Sequence, residues 1–405
     1  MTANKIEAVL ATHSWPAELR AAAAPTLAGA SVMAASLVNF LNHNQYPLLR
    51  PEVGILFAVL SAIVVAMGLL YAASGRIVRT ILQIALICIA LDLNFDGFIV
   101  PVAAVAITVA LQGRAMPFLA VAASVVLLTV LAGMATAERA SNNSSSAAAA
   151  ERQTDLPVLV HLILDEHIGV EGLPDDLPEA AAMQRTMKRL YVGHGFHLFG
   201  GAYSENIRTV NAIPQLLNFG EPHSLTRSKD HSSLVSNRYF DRLGAAGYRI
   251  HVTQTDYMDY CSNKFVIRCD TRRAAELSAI VDTSLSMEEK TYVVATEFSK
   301  LSMALTMPAA LYHRLVHPSQ TVVLPPLGPL ADLDRLAGEL RAAKPGDAYF
   351  AHVLLPHSPY ALNEDCSLRA LADWKDQWNR PKRERVIGYL RQLTCLNGKL
   401  EAVFD

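Results

Sequence analysis

Two patterns of hydrophobic and polar positions divide the chain. Between residues 21 and 137 the only charges are Arg50, Glu52, Arg76, Arg79, Asp92, Asp96 and Arg114, and the stretches between them are almost wholly apolar. Roughly 20 apolar residues cross the hydrocarbon core of a bilayer, so these stretches predict about five spans, near 22–41, 53–73, 77–91, 98–111 and 117–136. The third and fourth are short enough to form a re-entrant pair instead. So many consecutive charge-free runs weigh against buried helices of a soluble protein, and apolar character that continues far past one segment weighs against a cleaved leader.

Residues 138–155, "ERASNNSSSAAAAERQTD", are small and polar without a hydrophobic period and read as a linker. Beyond them the period alternates between strand and helix. The pattern predicts a strand at 158–164, a helix at 179–191, an extended run at 197–203, a helix at 239–246 closed by Gly247, the strand "YRIHVTQ", a helix at 330–343 and a strand within "DAYFAHVLLPHSPY". Such alternation predicts an α/β domain over 156–405, a mostly parallel central sheet with helices on both faces, whose ligands gather at the carboxyl ends of strands. The segment 286–317 reads as a helix packed on that domain, with an amphipathic helix lying on a bilayer as the weaker alternative.

Composition and charge sharpen this picture. The 405 residues are 52% hydrophobic, and the surplus lies entirely at the front. Lys5, Arg20, Arg76, Arg79 and Arg114 fall on one side of a five-span layout, while the loops on the other side carry Arg50, Glu52, Asp92 and Asp96. The positive-inside rule therefore puts residues 1–20 in the cytoplasm and, after an odd number of spans, the α/β domain outside. A net charge of −2 leaves no electrostatic footprint for nucleic acid. Cys88 lies in a span, whereas Cys261, Cys269, Cys366 and Cys395 form an even set suited to an oxidising space. Pairing Cys261 with Cys269 closes a small loop and leaves Cys366 for Cys395; other pairings, or four buried thiols, also fit the sequence.

Three stretches carry candidate chemistry. "LPVLVHLILDEHIGVEGLP" ends a buried strand on Asp165, Glu166 and His167, and adjacent carboxylates there call for a cation. In "SENIRTVNAIPQLLNFG", Pro214 reads as the first turn of a helix, which places Thr209 and Asn211 at or just before its positive amino end. A phosphoryl group attacked by Thr209 would be stabilised there, although a plain helix cap is the alternative. In "HVLLPHSPY" two prolines fix the position of His357, an imidazole able to hold an anionic oxygen or protonate a leaving group.

Leu164-Asp165-Glu166-His167, the spacing from Thr209 to Pro214, and Pro356-His357-Ser358-Pro359-Tyr360 together resemble the sulfatase-like branch of the alkaline phosphatase superfamily. With the multi-span front, the chain looks most like membrane-anchored phosphoethanolamine transferases and lipoteichoic acid synthases. The resemblance implies Asp165, Glu166 and Thr209 as metal ligands, Thr209 as nucleophile and His357 as the contact to the transferred phosphoryl group. Beside these, Arg208, Asn211 and His167 are candidates for substrate binding: Arg208 to hold phosphate, with an exposed arginine at a helix start as the favoured alternative, and His167 next to the metal ligands, with a plain loop histidine as the favoured alternative. The resemblance also implies zinc, with manganese as the alternative, a membrane phospholipid as donor, a lipid or glycan as acceptor, and a bacterial inner membrane as location. "TVNAIPQ" lacks the Cys/Ser-x-Pro-x-Arg pattern of true sulfatases, and the family's later Asp-His-Gly segment is absent, so the 405 residues read as truncated before that motif. A hydrolase that uses water as acceptor, and an inactive membrane protein with a ligand-binding outer domain, are the competing expectations.

Overall fold

Leu, Val and Ala dominate the first charge-poor segments and, with no polar face to expose, coil into apolar helices. A computed structural model of the chain describes residues 17–92, 99–111, 114–137, 155–174, 176–200, 202–221, 225–227, 232–273, 276–301 and 324–405. In chain order these begin with α1 (Ala17–His43), α2 (Pro51–Ala73), α3 (Arg76–Asp92), α4 (Ile99–Leu111) and α5 (Ala115–Ala137). There follow β1 (Leu159–Leu164), α6 (Pro178–Gly193), α7 (Thr209–Leu217), β2 (Leu225–Arg227), β3 (Ser232–Leu234), α8 (Arg238–Ala245), β4 (Arg249–Thr255), β5 (Met258–Asp259) and β6 (Val266–Arg272). The last elements are α9 (Met287–Ser299), α10 (Leu327–Leu340), β7 (Asp347–Val353) and α11 (Lys382–Phe404). They fall into two units, Met1–Ala147 with Ser286–Ser319, and Ala148–Leu285 with Gln320–Asp405.

In the first unit, Ala22–His43 and Pro51–Ala73 are long and apolar enough to cross a membrane. Val102–Leu111 and Ala115–Thr129 pass the same test only as a pair, bent by 115° at the break between them. All five sequence segments thus become helices, of which, among the described residues, two meet the length and composition of a span rather than the five expected, or up to three if the bent pair is one span. Gly68 lets α1 approach α2: a Cβ there would lie 1.9 Å from Thr26 Oγ1. Ser31 Oγ and Ser124 Oγ, 2.9 Å apart, join α1 to α5.

Helix α9 starts in a capping box, with Ser286 Oγ accepting from Glu289 N at 3.2 Å and Ser286 N donating to Glu289 Oε2 at 2.9 Å. It buries Val293, Val294 and Phe298, and Phe298 meets Phe40 of α1 edge-on at 5.6 Å. This corrects the expectation that the segment packs on the α/β domain: its apolar face finds a better partner in the apolar helices. Residues 302–317 of that segment, like the linker 138–154, lie outside the described residues.

The second unit is built on a sheet of order β1-β7-β4-β6, with every neighbouring pair parallel. The register runs from Leu159 opposite Ala348 to Leu164 opposite Val353. All seven residues of β7 are buried, as a central strand covered on both faces requires. Its side chains alternate: Tyr349, Ala351 and Val353 pack with Met187 of α6, Leu333 of α10 and Leu393 of α11. Ala348 and Phe350 pack on the other face with Leu217 of α7 and Phe240 of α8. Helices therefore cover both faces, as the sequence pattern predicts. A small second sheet has the order β2-β3-β5.

Four details differ from the sequence reading. The run 197–203 forms no strand among the described residues; Phe199 and Tyr203 are exposed and no ladder partner reaches them. Pro214 sits inside α7 rather than in its first turn, because the helix already begins at Thr209. Strand β6, an edge strand whose burial alternates residue by residue, has too weak an apolar signal to stand out. The three short strands of the second sheet were likewise not visible in the pattern. Both expected cysteine pairings are at disulfide distance, with Cα separations of 5.8 Å for Cys261–Cys269 and 4.9 Å for Cys366–Cys395.

Candidate active site

Strand β1 delivers its two acids to the carboxyl edge of the sheet, where ligands of open α/β folds gather. Asp165 N still donates to Val353 O at 3.0 Å, so the ladder continues one residue past the strand. Glu166 then takes φ 59, the left-handed region that a residue with a Cβ adopts only at a cost. Tyr389 of α11 holds this turn, its hydroxyl donating to Glu166 O at 3.0 Å and accepting from Ile168 N at 2.9 Å.

The two carboxylates then engage different partners. Thr209, the first residue of α7, donates its hydroxyl toward both oxygens of Asp165, at 3.1 and 3.2 Å. Glu166 Oε2 accepts from Ser358 N at 3.2 Å, and Oε1 lies 3.3 Å from His357 Nε2. His357 Nδ1 is 2.7 Å from Ser358 O, so both ring nitrogens face oxygens and the ring is fixed in place. Asp165, Glu166, Arg208, Thr209 and His357 line one cleft of about 1070 Å³. Its far wall is the loop before α7, braced by a short Asn206–Gln215 hydrogen bond and by Gln215 Nε2 donating to Glu205 at 2.5 Å.

Two sequence candidates fall elsewhere. Asn211 lies in the first turn of α7, where its backbone N–H donates to Arg208 O at 2.9 Å, and it does not line the cleft. His167 turns away behind Glu166, its Nε2 3.1 Å from Tyr191 OH. Burial drives its pKa down to about 4, so it is a neutral ring packed in the loop.

Sequence reasoning missed His352 and Tyr260. His352 is a fully buried residue of β7, with Nδ1 3.2 Å from Tyr260 OH and Nε2 3.9 Å from Asp165 Oδ2. Nε2 has no hydrogen-bond partner among the described residues. Burial lowers this imidazole to about 4 against the opposing pull of Asp165, leaving it uncharged at neutral pH. Burial also raises the Tyr260 phenol well above its ordinary value. The available signal was a histidine five positions before His357 inside an otherwise apolar strand.

The donor chemistry suits a divalent ion: two carboxylates, a hydroxyl, and an imidazole nitrogen buried without a partner beside Asp165. Among the described residues, however, no three or more His, Cys, Asp or Glu side chains are gathered closely enough to hold a metal ion by themselves. Compared with known proteins, the chain matches no family model, no curated protein and no solved structure.

Proposed function

We propose that this chain is a membrane-anchored transferase that moves a phosphoryl-linked head group from a phospholipid to an outer-leaflet or periplasmic acceptor through a phospho-threonine. The observation that carries this reading is the hydroxyl of Thr209 held 3.1 Å from Asp165 at the amino end of a helix and the carboxyl end of a parallel strand. Asp165 takes the hydroxyl hydrogen as Thr209 Oγ attacks phosphorus. The bond from phosphorus to the lipid alcohol breaks, and His357 holds or protonates the departing oxygen. The positive end of α7, with Arg208 at its cap, offsets the charge on the phosphoryl oxygens. An acceptor hydroxyl then attacks phosphorus and gives its proton to His357, the bond from phosphorus to Thr209 Oγ breaks, and Asp165 returns the hydrogen to Thr209.

Asp165, Glu166 and Thr209, with the nearby nitrogen of His352, are the residues that would hold zinc or manganese, which when bound neutralises charge and lowers the pKa of the hydroxyl. The apolar helices of the first unit fit an anchor that keeps such a site beside its lipid donor, in a bacterial inner membrane with the N-terminus cytoplasmic and the α/β unit outside. The rival readings are a hydrolase in the alkaline-phosphatase-like fold and a ligand-binding domain without activity.

Mass spectrometry tests the proposal. The full chain, incubated with phosphatidylethanolamine vesicles and zinc, should carry phosphoethanolamine on Thr209. Thr209→Ala should remove the adduct and lower turnover on the order of 10³-fold or more. Turnover that persists in this variant rejects the nucleophile, and release of free phosphoethanolamine as the main product favours the hydrolase.

A further inference from the structure

Glu166 lines two clefts, the one containing Thr209 and a second of about 510 Å³ between the loop after β1 and the first turn of α11. The second cleft is mostly apolar, walled by Ile168, Leu173, Tyr360, Val386 and the ring of Trp378. Trp378 is 46% exposed, a large aromatic face left open to water at the cost of its hydrophobic burial.

The charges around this wall are distributed unevenly. The entry to α11 carries Arg380, Lys382, Arg383 and Arg385. Arg380 pairs with Glu384 at 3.2 Å, and Arg383 lies 3.8 Å from Glu179. Lys382 and Arg385 have no carboxylate within ion-pair distance among the described residues, and these are the two cations that line the cleft. Arg385 lies over the Trp378 ring at 5.6 Å, and its Nε is buried without a hydrogen-bond partner among the described residues. With no carboxylate to neutralise Lys382 and Arg385, an anion in the cleft would meet two uncompensated cations.

We propose that this second cleft is a binding subsite for an anionic saccharide, a sugar ring bearing a phosphate or carboxylate. The anion sits with Lys382 and Arg385, the C–H face of the sugar covers Trp378, and a sugar hydroxyl is directed to the Glu166 end, where the carboxylate repels a second anion and accepts a hydrogen bond. Since Glu166 also borders the Thr209 cleft, this subsite would present the acceptor hydroxyl. That role rests on the transferase reading above; binding itself does not.

Calorimetry on the full chain in detergent measures binding with no transfer step, so it can fail or succeed independently of the phospho-threonine. Glucose 6-phosphate or glucuronate should bind at least tenfold more tightly than glucose, and the tighter of the two identifies the preferred anion. The Lys382→Gln/Arg385→Gln double variant should lose at least tenfold, and Trp378→Ala should remove the advantage of the sugar phosphate over inorganic phosphate. Arg380→Gln and Arg383→Gln, which remove cations already paired with Glu384 and Glu179, should each stay within twofold of the unaltered chain. Neutral glucose binding as tightly as the anions, an unaffected double variant, or an equal loss in Arg380→Gln or Arg383→Gln would each overturn the proposal.

Discussion

The geometry of the site depends on Glu166, because its left-handed backbone sends two neighbouring carboxylates to different partners, Thr209 and His357. A residue with φ 59 stays there only if its surroundings over-determine it, and the Tyr389 hydroxyl is the visible restraint. Tyr389→Phe should therefore destabilise the α/β unit by about 1 kcal/mol, since half-buried Ile168 N loses its acceptor while water can replace the donor to exposed Glu166 O. Urea denaturation of the full chain in detergent measures this, and an unchanged midpoint would show that the turn holds itself. At this scale the sequence was informative about residue types and less so about their directions. Asp165, Glu166, Thr209 and His357 were visible as polar residues at element ends. His352 was hidden inside a strand, and His167 packs inward against Tyr191, 24 residues away.

Elements formed largely where periodicity was strong. Helices α6, α8 and α10 and strands β1, β4 and β7 appear within a few residues of their expected places, because each buries a face whose pattern is local. The missing strand at 197–203 and the unforeseen β6 share one cause: a strand exists only if a neighbour pairs with it, and pairing is not a property of the segment. The disulfides tie irregular segments to these elements. Cys366–Cys395 closes a loop 29 residues apart and holds it to α11, where Cys395 is 1% exposed. Loop-closure entropy predicts that Cys366→Ser/Cys395→Ala costs about 3–4 kcal/mol, and opening the 8-residue separation of Cys261–Cys269 about 1 kcal/mol less. Thermal midpoints of the two double variants check both the sizes and their order.

For the whole molecule, buried ionisable groups set a pH response. Burial lowers the pKa of His161, and lowers His167 and His352 to about 4, all three in the α/β unit. Below about pH 6.5 the unfolded chain takes up protons that these folded rings refuse, so stability falls as pH drops from about 6.5 to about 4. Asp332 opposes this: burial raises its carboxyl to about 6 despite Arg272 and Arg335 beside it, so the folded state gains a proton first and is stabilised. Three histidines against one aspartate give a net loss. The denaturant midpoint of the unit should be lower at pH 5 than at pH 7, and an equal or higher midpoint would contradict the burial of these rings.

While the structure selected Cys261–Cys269 and Cys366–Cys395 among the pairings the sequence allowed, sequence alone determined the division into an apolar helical front and an α/β unit, the helices on both faces of a parallel sheet and the residue types at the strand exits. These follow from composition and short-range periodicity, which any window of the chain displays. Tertiary structure decided that α9 joins the apolar helices, that Asn211 and His167 leave the Thr209 cleft, and that His352 comes beside Asp165. It also decided that Thr209 meets Asp165 across 44 residues of chain. The reason is that strand order and crossover direction, which bring distant ends together, are fixed by burying both faces of the sheet at once.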